Sequence, residues 1–343
     1  MRAVVLVGGL GTRLRPLTLR TPKQMLPVAG RPMIEHVVAH LADHGVDEVV
    51  LSLGYRPDAF TASYPDATCA GVRLVYAVEP EPLDTAGAIR FAAAHAGIDE
   101  RFLVVNGDVL SDLDLSELVS LHDAVHHGGG AEATIQLVGV EDPSPYGAVS
   151  TDASGRVTAF VEKPPSGEIA DAAINAGYYV LEPQVLERIP EGRRVNIERE
   201  TFPAMVAEGV LYATVGKGWW IDVGTPERYV QASLDLLDRA GDGPPSVVAP
   251  SAMVATTATV SRSVLGPGCR IGRNARVEDS IVFSRAVIGN GATVRRSVIG
   301  AAAVVGDAAT VADLSVLGNG TEVDGGAELV GAILPGPETW PAA

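Results

Sequence analysis

Arg13, Arg15, Arg20 and Lys23 fall within one short stretch that begins with the glycines Gly8, Gly9 and Gly11. Glycines let backbone N–H groups reach an oxyanion, and closely spaced cations neutralise it. The stretch reads Gly8-Gly9-Leu10-Gly11-Thr12-Arg13-Leu14-Arg15-Pro16, followed by Thr21-Pro22-Lys23-Gln24-Met25-Leu26-Pro27. It is not a dinucleotide fingerprint, since Leu14 stands where a third glycine is required. Nor is it a Walker loop, which needs Gly-Lys-Ser/Thr. Pro16, Pro22 and Pro27 block an immediate helix, so the loop is expected to stay extended. In a chain of net charge −16, such a concentration of cations reads as a triphosphate clamp. Of the 26 basic residues only Lys23, Lys163 and Lys217 are lysines. A lysine is a compact point charge suited to a single phosphate oxygen. An arginine-rich composition would also leave a few lysines by chance, although two of these three lie in motifs.

A phosphate-binding loop needs a rigid platform, and the surrounding pattern supplies one. Short β-branched runs at residues 3–7, 48–53, 72–77 and 102–105 read as strands. Helical patterns at 32–44, 85–96 and 115–127 separate them, the first opened by Pro32 and closed by Gly45. Strand and helix in alternation imply an α/β fold, a Rossmann-like, doubly wound, mostly parallel sheet. Beyond residue 130 the strands crowd together at 133–140, 148–151, 157–162 and 174–181. This predicts an antiparallel or mixed extension over one end of the sheet, where a second substrate could sit.

Residues 241–246, Gly-Asp-Gly-Pro-Pro-Ser, form a linker between a domain at 1–240 and one at 247–335. After it, aliphatic residues recur at Val254, Val260, Leu265, Ile271, Val277, Val282, Ile288, Val294, Ile299, Val305, Val311, Leu317 and Val323. The steps are six with an occasional five, and glycine follows several of them, as at Gly266, Gly272 and Gly289. A three-sided, left-handed parallel β-helix has this period, each side being one hexapeptide with its aliphatic residue turned into a narrow core. Such coils serve oligomerisation, regulation or acyl transfer.

The loop resembles the signature of the sugar-1-phosphate nucleotidyltransferases, Gly-Gly-x-Gly-Thr-Arg-Leu-x-Pro-Leu-Thr followed by Pro-Lys. The resemblance continues through Asn106-Gly107-Asp108, Phe160-Val161-Glu162-Lys163-Pro164, Ile174-Asn175-Ala176-Gly177 and Trp220-Ile221-Asp222-Val223-Gly224-Thr225. With the β-helix it covers essentially the whole chain. Within the family the likeness is greatest to the mannose-1-phosphate guanylyltransferases, through the 79–87 stretch, Asn175-Ala176-Gly177 with its Tyr pair, and residues 198–204. The resemblance implies an enzyme joining a nucleoside triphosphate, GTP foremost, to a hexose-1-phosphate, with Mg²⁺ as cofactor. It implies catalytic roles for Arg13, Lys23, Asp108, Lys163 and Asp222. Gly8, Gly9, Gly11, Thr12 and Gly87 would join Arg13 and Lys23 in holding the nucleotide. Gly147, Glu162, Lys163 and Asn175 would hold the sugar phosphate, and Asp108 with Asp222 the metal. One position departs from the family, which commonly has Leu-Gly-Thr-Ala-Gly where this chain has Leu83-Asp84-Thr85-Ala86-Gly87. Asp84 is expected to cap the following helix or to alter how base and ribose are held.

Bland readings stand beside these. Asp108 could cap a turn, and Trp219 and Trp220 could be core residues with Asp222 in a turn. His36, His40 and His44 share one helix face and read as a partly exposed stripe rather than a metal site. All seven histidines lie at or before His127, so the coils lack the His base on which a hexapeptide acyltransferase relies. A thymidylyltransferase or other nucleotide-sugar synthase, and a non-catalytic regulatory homologue, remain as alternatives. With 42 acidic residues against 26 basic, neither nucleic acid nor an anionic membrane is the expected partner. Two cysteines give no disulfide framework. No apolar run approaches the ~18 residues of a membrane span, and the cytoplasm is the expected compartment. A β-helix favours self-association, so a homo-oligomer is expected.

Overall fold

The computed structural model describes residues 1–54, 56–140, 146–162, 172–240 and 246–341. The chain falls into two compact units. One comprises Met1–Gly9 with Ile34–Trp220, the other Leu10–Met33 with Ile221–Ala343. The segments 10–33 and 221–240 thus pack with the coils, whereas their sequence grammar groups them with the sheet. A boundary drawn along the sequence cannot show a segment that leaves one unit and returns.

In the first unit the parallel strands lie in the order Val72–Val78, Glu48–Leu53, Arg2–Leu6, Phe102–Asn106. These are the runs predicted from β-branched composition. Val4, Val5, Val50 and Val104 are fully buried, as strands covered on both faces require. Each such side chain stabilises the fold by about 1.5–3 kcal/mol. Strand Ala172–Leu181 then runs antiparallel to Phe102–Asn106 and also pairs with Ala133–Val140 and Gly147–Thr151. The sheet is therefore mixed, as expected from the crowded strands after residue 130. Helix Leu115–Gly129 shows why its ends are where they are. Asp114 accepts from Ser116 N at 2.8 Å and Glu117 N at 3.4 Å, and Gly130, at φ 69°, closes the last turn.

In the second unit, the coils from Val247 to Leu334 stack as three parallel sheets, one for each side of a β-helix. Equivalent residues on successive coils are usually 17 apart, which is two steps of six and one of five. A step of 18 occurs between Ala301 and Asn319. The predicted aliphatic series from Leu265 to Val323 is buried. Val254 is 38% exposed, because its coil has a neighbour on one side only. The glycines after the aliphatic residues are also explained. A Cβ on Gly272 would lie 2.7 Å from Asn290 N, and one on Gly289 2.6 Å from Asp307 N, so the next coil leaves no room for one. The sequence pattern did not reveal a ladder of buried serines. Ser263, Ser280 and Ser297 each donate backbone N–H, at 3.1 Å, to the hydroxyl of the serine one coil earlier. Among the described residues no helix is long and apolar enough to cross a membrane.

Candidate active site

The strand order of the first unit reverses between Arg2–Leu6 and Phe102–Asn106, and ligands of open α/β sheets bind at the carboxyl ends of strands at such a point. Val7-Gly8-Gly9 and Asn106-Gly107-Asp108 leave the sheet there. Gly107 donates to Leu6 O at 2.9 Å, and a Cβ on it would lie 2.7 Å from both that oxygen and Val7 Cγ1. Only glycine lets the turn fit so closely, and it fixes the start of the half-buried Asp108. A Cβ on Gly8 would meet Glu79 Oε1 at 3.3 Å, whereas among the described residues nothing lies within 4 Å of one on Gly9. Protein packing is therefore tight over Gly8 and open over Gly9.

Glu79 organises the next part of this edge. It accepts from Ser52 Oγ and from Leu83 N, each at 3.0 Å, and so holds the start of the 83–87 turn. Asp84 sits at φ 59°, in the left-handed region that favours glycine. Its carboxylate accepts from Thr85 N at 2.8 Å and from Asn196 Nδ2 at 3.0 Å, and Arg194 Nε lies 3.5 Å away. It does not act as the expected helix cap: the residue before helix Asp84–His95 is Leu83, without a side-chain cap. Instead Asp84 ties this turn to residues 194–196. Gly87 is buried, and a Cβ on it would meet Arg193 O at 2.5 Å. In this structure the space over Gly87 is thus filled by the chain itself.

The Asn175-Ala176-Gly177 motif is a break in strand register between Asn175 and Tyr179, with Gly177 at φ 80°. Asn175 is 8% exposed and fully engaged. It donates to Tyr179 Oη at 2.8 Å and Glu198 Oε1 at 2.6 Å, and accepts from Gly177 N at 3.0 Å. Trp220 Nε1 donates to Ala176 O at 2.9 Å. Gly147 and Glu162 are register partners on adjacent antiparallel strands. Lys163 lies outside the described residues.

The remaining candidates gather in the second unit. Gly11, at φ 60°, accepts from Thr18 Oγ1 at 2.7 Å and from Leu14 N at 3.0 Å. The loop is not extended as expected. It is three short 3-10 turns, Thr12–Leu14, Leu17–Leu19 and Lys23–Met25. Pro16 and Pro22 stand just before the second and third, where a fixed φ suits entry into a tight turn. Buried Leu14 and Leu17 anchor the fold of the loop, while Thr12 and Arg13 are exposed. Lys23 is only 6% exposed, and its Nζ lies 4.0 Å from Asp222 Oδ1. Arg13 reaches the same carboxylate's surroundings: a Cβ on Gly224 would lie 2.7 Å from Arg13 Nη2 and 3.1 Å from Asp222 Oδ2. Asp222 ends strand Trp220–Asp222, and Thr225 and Pro226 begin the helix that follows, Thr225 Oγ1 accepting from Arg228 N at 3.3 Å. Strand end and helix cap therefore fix Asp222 and Gly224 from both sides.

The structure thus brings Arg13, Lys23 and Asp222 together in one unit, and sets Gly8, Gly9, Asp108, Asn175 and the backbone of Glu162 in the other. Glu79 and Glu198 begin two of the stretches that carried the resemblance but had no role assigned to them; the available signal was an acidic residue directly after a strand and another beside the Asn196 cap. His36, His40 and His44 form the half-buried stripe predicted, with the His40 and His44 rings 4.7 Å apart. His122, His126 and Glu182 form a second cluster with the spacing of metal ligands. Its atoms are already used: His122 bonds Thr134 Oγ1 at 2.8 Å and Glu182 Oε1 at 3.1 Å, and Arg101 Nε donates to the same Glu182 oxygen at 2.6 Å. A guanidinium in that position opposes a cation, so the cluster is a structural network.

Known proteins resemble the chain in both units. The nucleotidyl transferase family model matches residues 2–239. The model of the EIF2B subunit epsilon LbH domain, a left-handed β-helix, matches residues 226–329. The mannose-1-phosphate guanylyltransferase of Mycobacterium tuberculosis is 45% identical over 240 residues, which is 68% of this chain and 64% of that protein's length. A probable mannose-1-phosphate guanylyltransferase 2 of Arabidopsis thaliana is 42% identical over 256 residues, covering 73% of this chain and 68% of its own. Among solved structures, HddC from Yersinia pseudotuberculosis superposes with a TM-score of 0.59 at 31% identity, over 68% of this chain and 99% of its own. Its complex with GMP-PN gives 0.58 with the same identity and coverage.

Proposed function

We propose that this chain, which belongs to the nucleotidyl transferase family, joins a nucleoside triphosphate to a hexose-1-phosphate and releases pyrophosphate, with GTP and mannose-1-phosphate as its pair. The observation that carries the reaction class is the grouping of buried Lys23 and exposed Arg13, from the loop's 3-10 turns, with Asp222 at the end of strand Trp220–Asp222. Two cations beside one carboxylate, next to backbone with little side-chain cover, suit a polyphosphate and its counter-ion. The named relatives favour the substrate pair.

In the reaction an oxygen of the sugar phosphate attacks the α-phosphorus. A bond to that phosphorus forms while the bond from it to the α–β bridging oxygen breaks, and pyrophosphate carries away the electron pair. No covalent bond to the protein forms, so positioning and charge neutralisation dominate. Arg13 and Lys23 hold the phosphates and offset charge growing on the departing pyrophosphate. Thr12, Gly8, Gly9 and Gly11 bring backbone close to the nucleotide, and among the described residues nothing crowds Gly9. Gly87 assists by letting its helix seat against residues 193–195. Lys163 holds the sugar phosphate, and Glu162 and the main chain at Gly147 bond sugar hydroxyls. Asn175 acts on the sugar through Glu198, whose carboxylate it orients. Asp108 and Asp222 offer the carboxylate oxygens that a hard divalent cation prefers, and would hold Mg²⁺. Bound there, Mg²⁺ would supply charge neutralisation for the phosphates. The catalytic domain is residues 1–240 and the coils 247–335, which self-associate into a homo-oligomer.

The test is pyrophosphate release with Mg²⁺, crossing GTP, dTTP, ATP, UTP and CTP against mannose-1-phosphate and glucose-1-phosphate. Turnover chiefly with GTP and mannose-1-phosphate is the expected result. Turnover with another pair would keep the reaction and move the product, pointing to the Asp84 turn. No turnover with any pair would sink the proposal in favour of a regulatory homologue.

A further inference from the structure

The 3-10 turns around Arg15 and Pro16 are held by the segment that follows the last coil, and we infer that Trp340 is a positioning residue for the phosphate loop through its contact with Arg15. The inference rests on the nucleotidyl-transfer reading for its consequence, but not for its geometry. After strand Ile333–Leu334 the chain makes a short 3-10 turn, Pro337–Thr339. Trp340 N donates to Pro337 O at 3.2 Å, and its indole Nε1 donates to Pro335 O at 2.9 Å, so the ring is locked to its own turn. The Arg15 guanidinium carbon lies 6.0 Å from the centre of that ring. Arg15 Nη1 also donates to Pro341 O at 3.2 Å. A guanidinium set over an indole face, and bonded to the adjacent carbonyl, loses most of its rotational freedom.

A second contact fixes the next residue of the loop. A Cβ on Gly318 would lie 3.0 Å from both Pro16 Cβ and Pro335 Cδ, so the two proline rings close on a bare Cα in the penultimate coil. Further along the same segment, Tyr229 Oη donates to Pro27 O, and Ala29 N donates to Ser233 Oγ at 3.3 Å. Residues 10–33 are thus moored at three places to helix Pro226–Arg239, the coils and the segment after them. The coils therefore do more than offer a surface for self-association. Their last turn sets where Arg15 and Pro16 stand, and through them the 3-10 turn that carries Arg13.

The test compares wild type with Trp340→Ala and Trp340→Phe by hydrogen exchange, thermal unfolding and steady-state kinetics. Trp340→Ala should speed amide exchange in residues 12–20 with little change in Tm. It should raise the KM for the nucleotide more than it lowers kcat, for a fall in kcat/KM of roughly threefold to tenfold. Trp340→Phe, which keeps an aromatic face, should recover most of both effects. Wild-type exchange in residues 12–20 of Trp340→Ala would overturn the inference. So would a lowered Tm with faster exchange spread evenly through the coils, which is the mark of a merely stabilising residue. If wild type turns over no substrate pair, the functional proposal fails, and the exchange measurement still decides whether Trp340 holds the loop.

Discussion

His40 makes stability depend on pH in a way that can be calculated. Burial, joined by the neighbouring His44, lowers its pKa from 6.5 to about 4, against the weaker opposing pull of Asp43 and Asp114. A backbone hydrogen bond with Leu113 also opposes the shift, but among the described residues Nε2 is buried without a partner, and burial prevails, so the folded chain prefers the neutral ring. The unfolded chain protonates this ring as pH falls through 6.5, while the folded chain does so only near 4. The stability contributed by the neutral ring is complete above pH 6.5 and is lost as pH falls towards 4. At about pH 5 the loss from this one group is about 2 kcal/mol. Urea unfolding of wild type and His40→Gln should be followed by fluorescence at about pH 7 and about pH 5. Between those values wild type should lose about 2 kcal/mol more than the variant, because glutamine does not titrate. His122, whose pKa burial also lowers, is present in both proteins and cancels. Equal losses in the two proteins would refute the reasoning, since the ring would then protonate without hindrance in the folded state.

Three further outcomes follow from close contacts. Gly107→Ala puts a Cβ 2.7 Å from the Leu6 carbonyl and Val7 Cγ1, and should cost about 1–3 kcal/mol in denaturant unfolding while depressing turnover. Ser280→Ala removes the acceptor for the buried Ser297 N–H, and should lower the stability of the coils by about 1–3 kcal/mol, with wild-type kinetics. Asp222→Asn should retain the fold by circular dichroism and reduce pyrophosphate release at least about a hundredfold, since a neutral amide is a poor ligand for Mg²⁺ and a poor partner for Lys23.

The parts of this molecule that sequence made legible are those set by local period. Alternating strands and helices are written in residue order, and so is the hexapeptide register that turns Leu265 to Val323 into the core of the coils. The grouping of cations and glycines in the loop was legible, because it is written in neighbouring residues. The loop's shape was not, because the prolines that rule out an α-helix equally permit the 3-10 turns that buried Leu14 and Leu17 select. What sequence conceals is partnership at a distance. Nothing near Asp84 announces Asn196, and nothing near Arg15 announces Trp340. The serine ladder is hidden for the opposite reason: a serine every 17 residues is too ordinary a pattern to notice beside the aliphatic one, until the coil places each hydroxyl under the next N–H. These long-range bonds bear on function more directly than the periodic core does. An aliphatic core makes a coil stand, whereas Trp340 over Arg15 and Asn196 on Asp84 decide where a cation and a backbone turn come to rest. A residue's role in such a site is therefore to be sought first among groups that hold a functional side chain from far along the chain, and Trp340 is where that search begins.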